Sequence, residues 1–300
     1  MSTEASQEVR GSFLSHWRDY LELCKPKVVL LLVFTAIVGM LLSTPGLVPL
    51  QEFVVGTLGI GLASASAAAI NHIIDHRADA RMARTKNRPL PKGNLTLTQC
   101  LIFALTIGVL SMVMLILWVN LLTAVLTFLS LIGYAVIYTL YLKRATPQNI
   151  VIGGAAGAMP PVLGWAAVTG EVTAEPLLLF LIIFTWTPPH FWALAIHRKD
   201  DYAKVGIPML PVTHGEKFTR LQVLLYTILM VLVTILPYLI GMNGWLYLVG
   251  ALGLGFGFLY SAIRMLDETR KDQPMKTFVF SINYLMALFA VLLLDHYLIA

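Results

Sequence analysis

Residues 53–91 read FVVGTLGIGLASASAAAINHIIDHRADARMARTKNRPLP. The first part, 53–74, carries no Asp, Glu, Lys or Arg. As a helix it is long enough to cross the roughly 30 Å hydrocarbon core of a bilayer. The second part reverses character at once, with Asp75 and Asp79 among Arg77, Arg81, Arg84, Lys86 and Arg88. A helix that begins in lipid and ends in a dense charge cluster points to an all-α integral membrane protein with its polar chemistry at the membrane surface.

The rest of the chain agrees. Apolar residues make up 58% of the 300 positions and charged residues only 12%, about half the share that a soluble surface needs. That balance disfavours a disordered chain, a disulfide scaffold and a soluble nucleic-acid binder. Apolar runs between charges predict nine transmembrane helices at 28–42, 53–74, 100–118, 121–142, 150–168, 176–196, 221–240, 245–263 and 278–299. Pro160-Pro161 and Pro188-Pro189 fall inside the fifth and sixth and are expected to bend them. Lys and Arg number four before the first span, then six, two, five and four in alternate connections, which accounts for all 21. By the positive-inside bias the N-terminus and these loops are cytoplasmic and the C-terminus external.

Residues 1–300 read as one membrane-embedded domain. Within it, 1–24 is a polar cytoplasmic segment with no signal-peptide core. Cys24 and Cys100 fall near the cytoplasmic face, where thiols stay reduced, and no disulfide is expected. The net charge of +5 is therefore a topology signal, and nucleic acid is not an expected partner.

Asn71, Asp75 and Asp79 are spaced i, i+4, i+8, which puts three oxygen-bearing side chains on one helix face. An isolated pair of acids at this spacing is usually a solvated helix end. Here the array grows out of a lipid-embedded helix, and a costly intramembrane amide leads it. A basic run follows directly. Two carboxylates and an amide suit Mg²⁺, which is commonly held by one or two carboxylates plus substrate phosphates. The adjacent bases suit an anion, so the pair fits a metal–diphosphate. A second cytoplasmic loop repeats the theme with His197, Asp200 and Asp201, followed by Pro208, Pro211 and Gly215. These echo Pro89, Pro91 and Gly93. Both clusters end even-numbered spans four apart, which predicts two pseudo-repeated halves around a central cavity.

These residues resemble the UbiA-type membrane prenyltransferase superfamily, with N-x-x-x-D-x-x-x-D after the second helix and an acidic loop after the sixth. Within it the closest resemblance is to the haem-farnesylating branch, the protohaem IX farnesyltransferases or haem O synthases. Residues 71–91, 138–144, 149–165, 186–195 and 201–212 carry it. One departure is His197, which stands where many members have the first acid of the second loop. Asp201 carries that match and spacing alone does not make His197 a ligand.

The resemblance implies a nine-helix bundle that transfers farnesyl from farnesyl diphosphate to a vinyl group of haem B (protohaem IX) with addition of water, giving haem O. It implies Mg²⁺ on Asn71, Asp75, Asp79 and Asp201, with Asp200 assisting. Arg84, Arg88, Lys143, Arg144 and Lys204 are the basic residues for the diphosphate. Tyr138, Trp165, Trp186 and Tyr202 offer faces to a cation, although packing is the ordinary role of each. His190 is the best residue for haem contact or iron ligation, and His72 and His76 for propionates or headgroups. A bacterial inner membrane, a site towards the cytoplasm and hand-off to a haem A synthase or terminal oxidase complete the expectation.

Two other functions compete. An aromatic-acid prenyltransferase of quinone synthesis would share the first motif, but it leaves Pro188-Pro189-His190-Phe191 and His197 unexplained. A secondary transporter would place its polar site near the midplane, whereas these acids cluster at helix ends.

Overall fold

The computed structural model describes residues 16–298. The first 15 residues of the polar N-terminal segment and the end of the ninth span at Ile299 lie outside the described residues. Helices account for every regular element among those described. Helix α1 is Trp17–Leu23, α2 Pro26–Leu42, α3 Leu50–Asp79 and α4 Leu97–Trp118. Helix α5 is Leu121–Ile132 and continues as a π-helix, Gly133–Leu142. Then follow α6 Asn149–Ala158, α7 Pro160–Thr169, α8 Ala174–His197, α9 Lys199–Lys204, α10 Gly215–Val233, α11 Trp245–Met265 and α12 Gln273–Leu298.

Eight helices or continuous helix pairs among the described residues are long and apolar enough to cross a membrane. A ninth span exists if α1 and α2, bent by 55°, are taken together. Met159 separates α6 from α7 ahead of Pro160, whereas Pro188 and Pro189 sit inside the unbroken α8. There the Thr185 and Thr187 hydroxyls donate to the carbonyls of Leu181 and Ile183 at 2.9 and 2.8 Å, side-chain support that lipid-embedded helices use around prolines.

Local chemistry starts these helices. Thr96 and Gln99 form a reciprocal capping box for α4, and Asn120 accepts from the Thr123 amide at the start of α5. Helix α11 is capped from another helix: Asp295 of α12 accepts from the amides of Gly244 and Tyr247 at 2.5 and 2.9 Å. Asp295, which stands apart from the other acids in sequence, is thus a buried cap.

In packing, α3 lies along α4, and α8 lies along α10 in the same way. The second and sixth spans therefore make corresponding contacts with the third and seventh. Helix α12 touches α2 and closes the bundle. The periphery carries exposed apolar side chains such as Ile102, Leu105, Val109 and Phe256. In water so large an apolar surface would be a liability; against lipid it is the expected exterior. Helix α8 has no exposed residue from 178 to 196, because α6, α7, α10 and α12 surround it.

Candidate active site

Asn71, Asp75 and Asp79 at the end of α3 are all at 5% exposure or less. Burial on this scale is incompatible with a solvated helix end, and buried carboxylates need partners. Three cations supply them, each from a different part of the chain. Lys25 Nζ donates to Asn71 Oδ1 at 2.5 Å, Lys143 Nζ to Asp75 Oδ2 at 2.5 Å, and Arg88 Nη1 to Asp79 Oδ2 at 2.5 Å. Asn71 Nδ2 in turn donates to Asp75 Oδ2 at 3.0 Å and to Thr139 Oγ1 at 3.2 Å. Asp75 Oδ1 is buried without a partner.

Two backbone irregularities deliver these partners. Lys25 joins α1 to α2 with φ of 49°, a left-handed conformation that costs an L-residue about 1–2 kcal/mol. It is the one non-glycine residue with positive φ among those described, and its side chain lands on Asn71. The second irregularity is the π-helix, where Thr139 Oγ1 donates five residues back to the Tyr134 carbonyl at 2.8 Å. The widened turn brings Thr139 to Asn71, in keeping with the occurrence of π-bulges at functional sites. Asn149 Nδ2 donates to the Lys143 carbonyl at 3.2 Å and steadies the turn that aims Lys143.

The other residues singled out from sequence separate into groups. Arg84, Arg144 and Lys204 are exposed, and so is Asp200; Asp201 is part-exposed. Tyr202 is buried among Trp192, Ile196, Ile207 and Met209. Burial raises its phenol pKa above the usual value, with Arg84 and Arg198 pulling the other way, so the hydroxyl stays protonated as a donor. Met82 from the first loop joins that same apolar cluster, so the loops after the second and sixth spans meet.

His72 is 2% exposed with neither ring nitrogen partnered. It lines a cleft of about 270 Å³ with Glu22, Lys25, Lys27 and Arg88. His76 turns back onto its own helix, Nδ1 lying 2.7 Å from the Ile73 carbonyl. Trp165 and Trp186 belong to the main core. Tyr138 lies flat on Gly153, where a Cβ would sit 2.1 Å from its ring, and its ring stacks on Tyr134 at 5.6 Å. His190 is held between Trp186 and Phe278 at 4.1 and 4.6 Å.

Sequence reasoning missed Lys25, Thr139 and Asn149. A lysine on either side of Pro26, at the mouth of an apolar span, was the available signal for Lys25. Thr139 and Asn149 lie in the stretches 138–144 and 149–165 that carry the family resemblance, but no spacing or composition gave either a role.

Among the described residues no three His, Cys, Asp or Glu side chains converge on a point fit for a metal ion. Asp75 and Asp79 are instead neutralised by Lys143 and Arg88. The oxygen donors Asn71, Asp75 and Asp79, with the buried Asp75 Oδ1 unclaimed, suit a hard cation that shares its shell with phosphate oxygens. They do not make a closed protein cage. Cations interleaved with carboxylates are what an anionic ligand brought in with its own metal would meet.

Comparison with known proteins agrees with this geometry. Residues 32–289 match the model of the UbiA prenyltransferase family. A protoheme IX farnesyltransferase of Thioalkalivibrio sulfidiphilus is 62% identical over 286 residues, 95% of each chain. That of Saccharophagus degradans is 59% identical over 299 residues, covering 100% of this chain and 98% of its own. Among solved structures, digeranylgeranylglyceryl phosphate synthase has a TM-score of 0.79 at 20% identity, covering 94% of this chain and 99% of its own. A UbiA homologue from Archaeoglobus fulgidus bound to GPP and Mg²⁺ has 0.62 at 16%, covering 91% and 99%. With its helical bundle, its buried Asn-Asp-Asp face and relatives of this identity over nearly the whole length, the chain belongs to the UbiA prenyltransferase family.

Proposed function

We propose that the protein farnesylates haem B: it joins the farnesyl group of farnesyl diphosphate to a vinyl group, water adds, and haem O and diphosphate leave. The observation that carries this reading is identity near 60% to protoheme IX farnesyltransferases across almost both full chains. An aromatic-acid substrate is not favoured by those relatives.

In this reading Asn71, Asp75 and Asp79 of one loop and Asp201 of the other, with Asp200 beside it, hold Mg²⁺ together with diphosphate oxygens. Bound there, Mg²⁺ supplies charge neutralisation for the leaving group. Lys143 and Arg88, already paired to the carboxylates, turn towards the diphosphate when it arrives, and Lys25 does the same from Asn71. Arg84, Arg144 and Lys204 complete the cradle from the exposed side. Preorganised cations lower the barrier because negative charge grows on the diphosphate as its bond to the allylic carbon breaks. The allylic carbon then bonds to the electron-rich vinyl group, and water captures the cation left on the porphyrin side. Tyr138 and Tyr202 offer aromatic faces along this path, with Trp165 and Trp186 forming the wall behind. His190 contacts the haem, and His72 faces its propionates from the cleft beside Lys25.

The same reading takes the chain as one domain of nine spans. Its N-terminus, basic loops and active site face the cytoplasm of a bacterial inner membrane, its C-terminus is external, and haem O passes on to a haem A synthase or terminal oxidase. The charge asymmetry between connections supports this orientation. To test the reaction, the purified protein is given farnesyl diphosphate and Mg²⁺ with either haem B or 4-hydroxybenzoate, and products are analysed by mass spectrometry. The farnesylated, hydrated haem is the expected product; prenylation of the benzoate alone would overturn the assignment.

A further inference from the structure

His190 is locked by groups that have no part in the diphosphate site. Its ring lies between Trp186 and Phe278, tilted by only 16° and 26° from each. Its Nδ1 is 2.6 Å from Ser281 Oγ. Ser281 is fully buried, and its backbone carbonyl accepts from Trp186 Nε1 at 2.8 Å. One side of the sandwich, Phe278, and the atom at its edge, Ser281 Oγ, therefore come from one turn of α12, while the other side, Trp186, precedes His190 by one turn of α8 and is tied to Ser281.

Hydrogen counting then selects the tautomer. A serine hydroxyl has one proton to donate. Ser281 spends it on the Phe278 carbonyl at 2.6 Å. Towards His190 its oxygen can only accept, so Nδ1 carries the imidazole proton and Nε2 carries the lone pair. Nε2 has no protein partner among the described residues, and His190 is part-exposed. Helix α8 packs against α6, α7, α10 and α12 and has no exposed residue from 178 to 196, so that opening lies among helices of the bundle.

We propose that Ser281 is a positioning residue that holds His190 as the Nδ1–H tautomer and presents Nε2 to the iron of the haem substrate as an axial ligand. The inference rests on the haem reading above. A metal-bound histidine commonly gives its other ring N–H to an acceptor that fixes the ring and raises its basicity, and Ser281 Oγ occupies that place. Holding iron from Nε2 would orient the porphyrin inside the bundle, because the stacked ring cannot rotate between two aromatic faces.

The test titrates ferric haem B into the full-length protein in detergent and reads the axial ligand by absorption and electron paramagnetic resonance. Wild type is expected to give a histidine-ligated haem. His190→Ala loses that signature, and added imidazole restores it. Ser281→Ala weakens haem binding by about 10- to 100-fold, Ser281→Thr recovers it, and farnesyl diphosphate binding is unchanged in all three. A histidine-ligated spectrum that survives His190→Ala, or a Ser281→Ala variant with wild-type haem affinity, overturns the proposal while haem farnesylation stands. Wild type that binds farnesyl diphosphate but no haem B overturns both.

Discussion

Replacing Gly164 with alanine probes a backbone-to-backbone contact that joins α2 to α7. A Cβ on Gly164 would lie 2.0 Å from the Ala36 carbonyl oxygen, and one on Gly39 would lie 2.2 Å from that of Pro161. Ala36 and Gly39 are three residues apart on one helix, as are Pro161 and Gly164 on the other, so both approaches belong to a single patch one turn long. Real Cβ atoms essentially never come within 3.0 Å of such an atom, so Gly164→Ala forces the helices apart by about 1 Å. The obstacle is backbone, so no side chain can swing aside. Around the patch Ala36, Val38, Met40, Val162 and Ala166 are at 2% exposure or less. A gap of this size forfeits a quarter to a half of each dispersion contact across it, and overpacking a core costs about 1–3 kcal/mol. The upper end is expected here. The double variant with Gly39→Ala should cost clearly less than the sum, because one separation accommodates both methyl groups. Thermal unfolding in detergent, followed by tryptophan fluorescence, reads both effects. Lys25 is about 20 Å along α2 from Gly39 at 1.5 Å per residue, so turnover per folded molecule should hold. An unchanged Tm for Gly164→Ala, or full additivity in the double variant, would refute the reasoning.

Other substitutions separate catalysis from stability. Asp75→Asn removes the carboxylate that Lys143 neutralises while keeping shape; turnover should fall by about 10²-fold or more, and chelating Mg²⁺ from wild type should produce a comparable loss in the same product assay. Lys25→Gly deletes the ammonium and relieves the left-handed strain, so Tm should hold or rise while initial rates drop by about 10²-fold; a lower Tm with normal rates would make Lys25 structural. Asp295→Ala leaves the buried amide of Tyr247 and the part-buried amide of Gly244 without their acceptor. At about 1–3 kcal/mol per unsatisfied donor, Tm should fall markedly, with the rate per folded molecule unaltered.

Much of the architecture is a local property of the chain. Hydrophobic runs set the spans, since a helix is the only open way to satisfy backbone groups in lipid. Helical periodicity alone puts Asn71, Asp75 and Asp79 on one face, and the distribution of 21 basic residues orders the connections. What the tertiary structure decided is which partners meet those residues. Lys25 reaches Asn71 across 46 positions and Lys143 reaches Asp75 across 68, and no spacing rule links them. The π-helical turn that brings up Thr139 arises inside a run that reads as ordinary apolar helix. His190 stood out in the sequence as a histidine in a proline-marked span. Its proton, however, is assigned by a serine 91 residues away. Periodicity acts within one helix; charge pairing, helix crossing and tautomer selection depend on how helices distant in sequence come together.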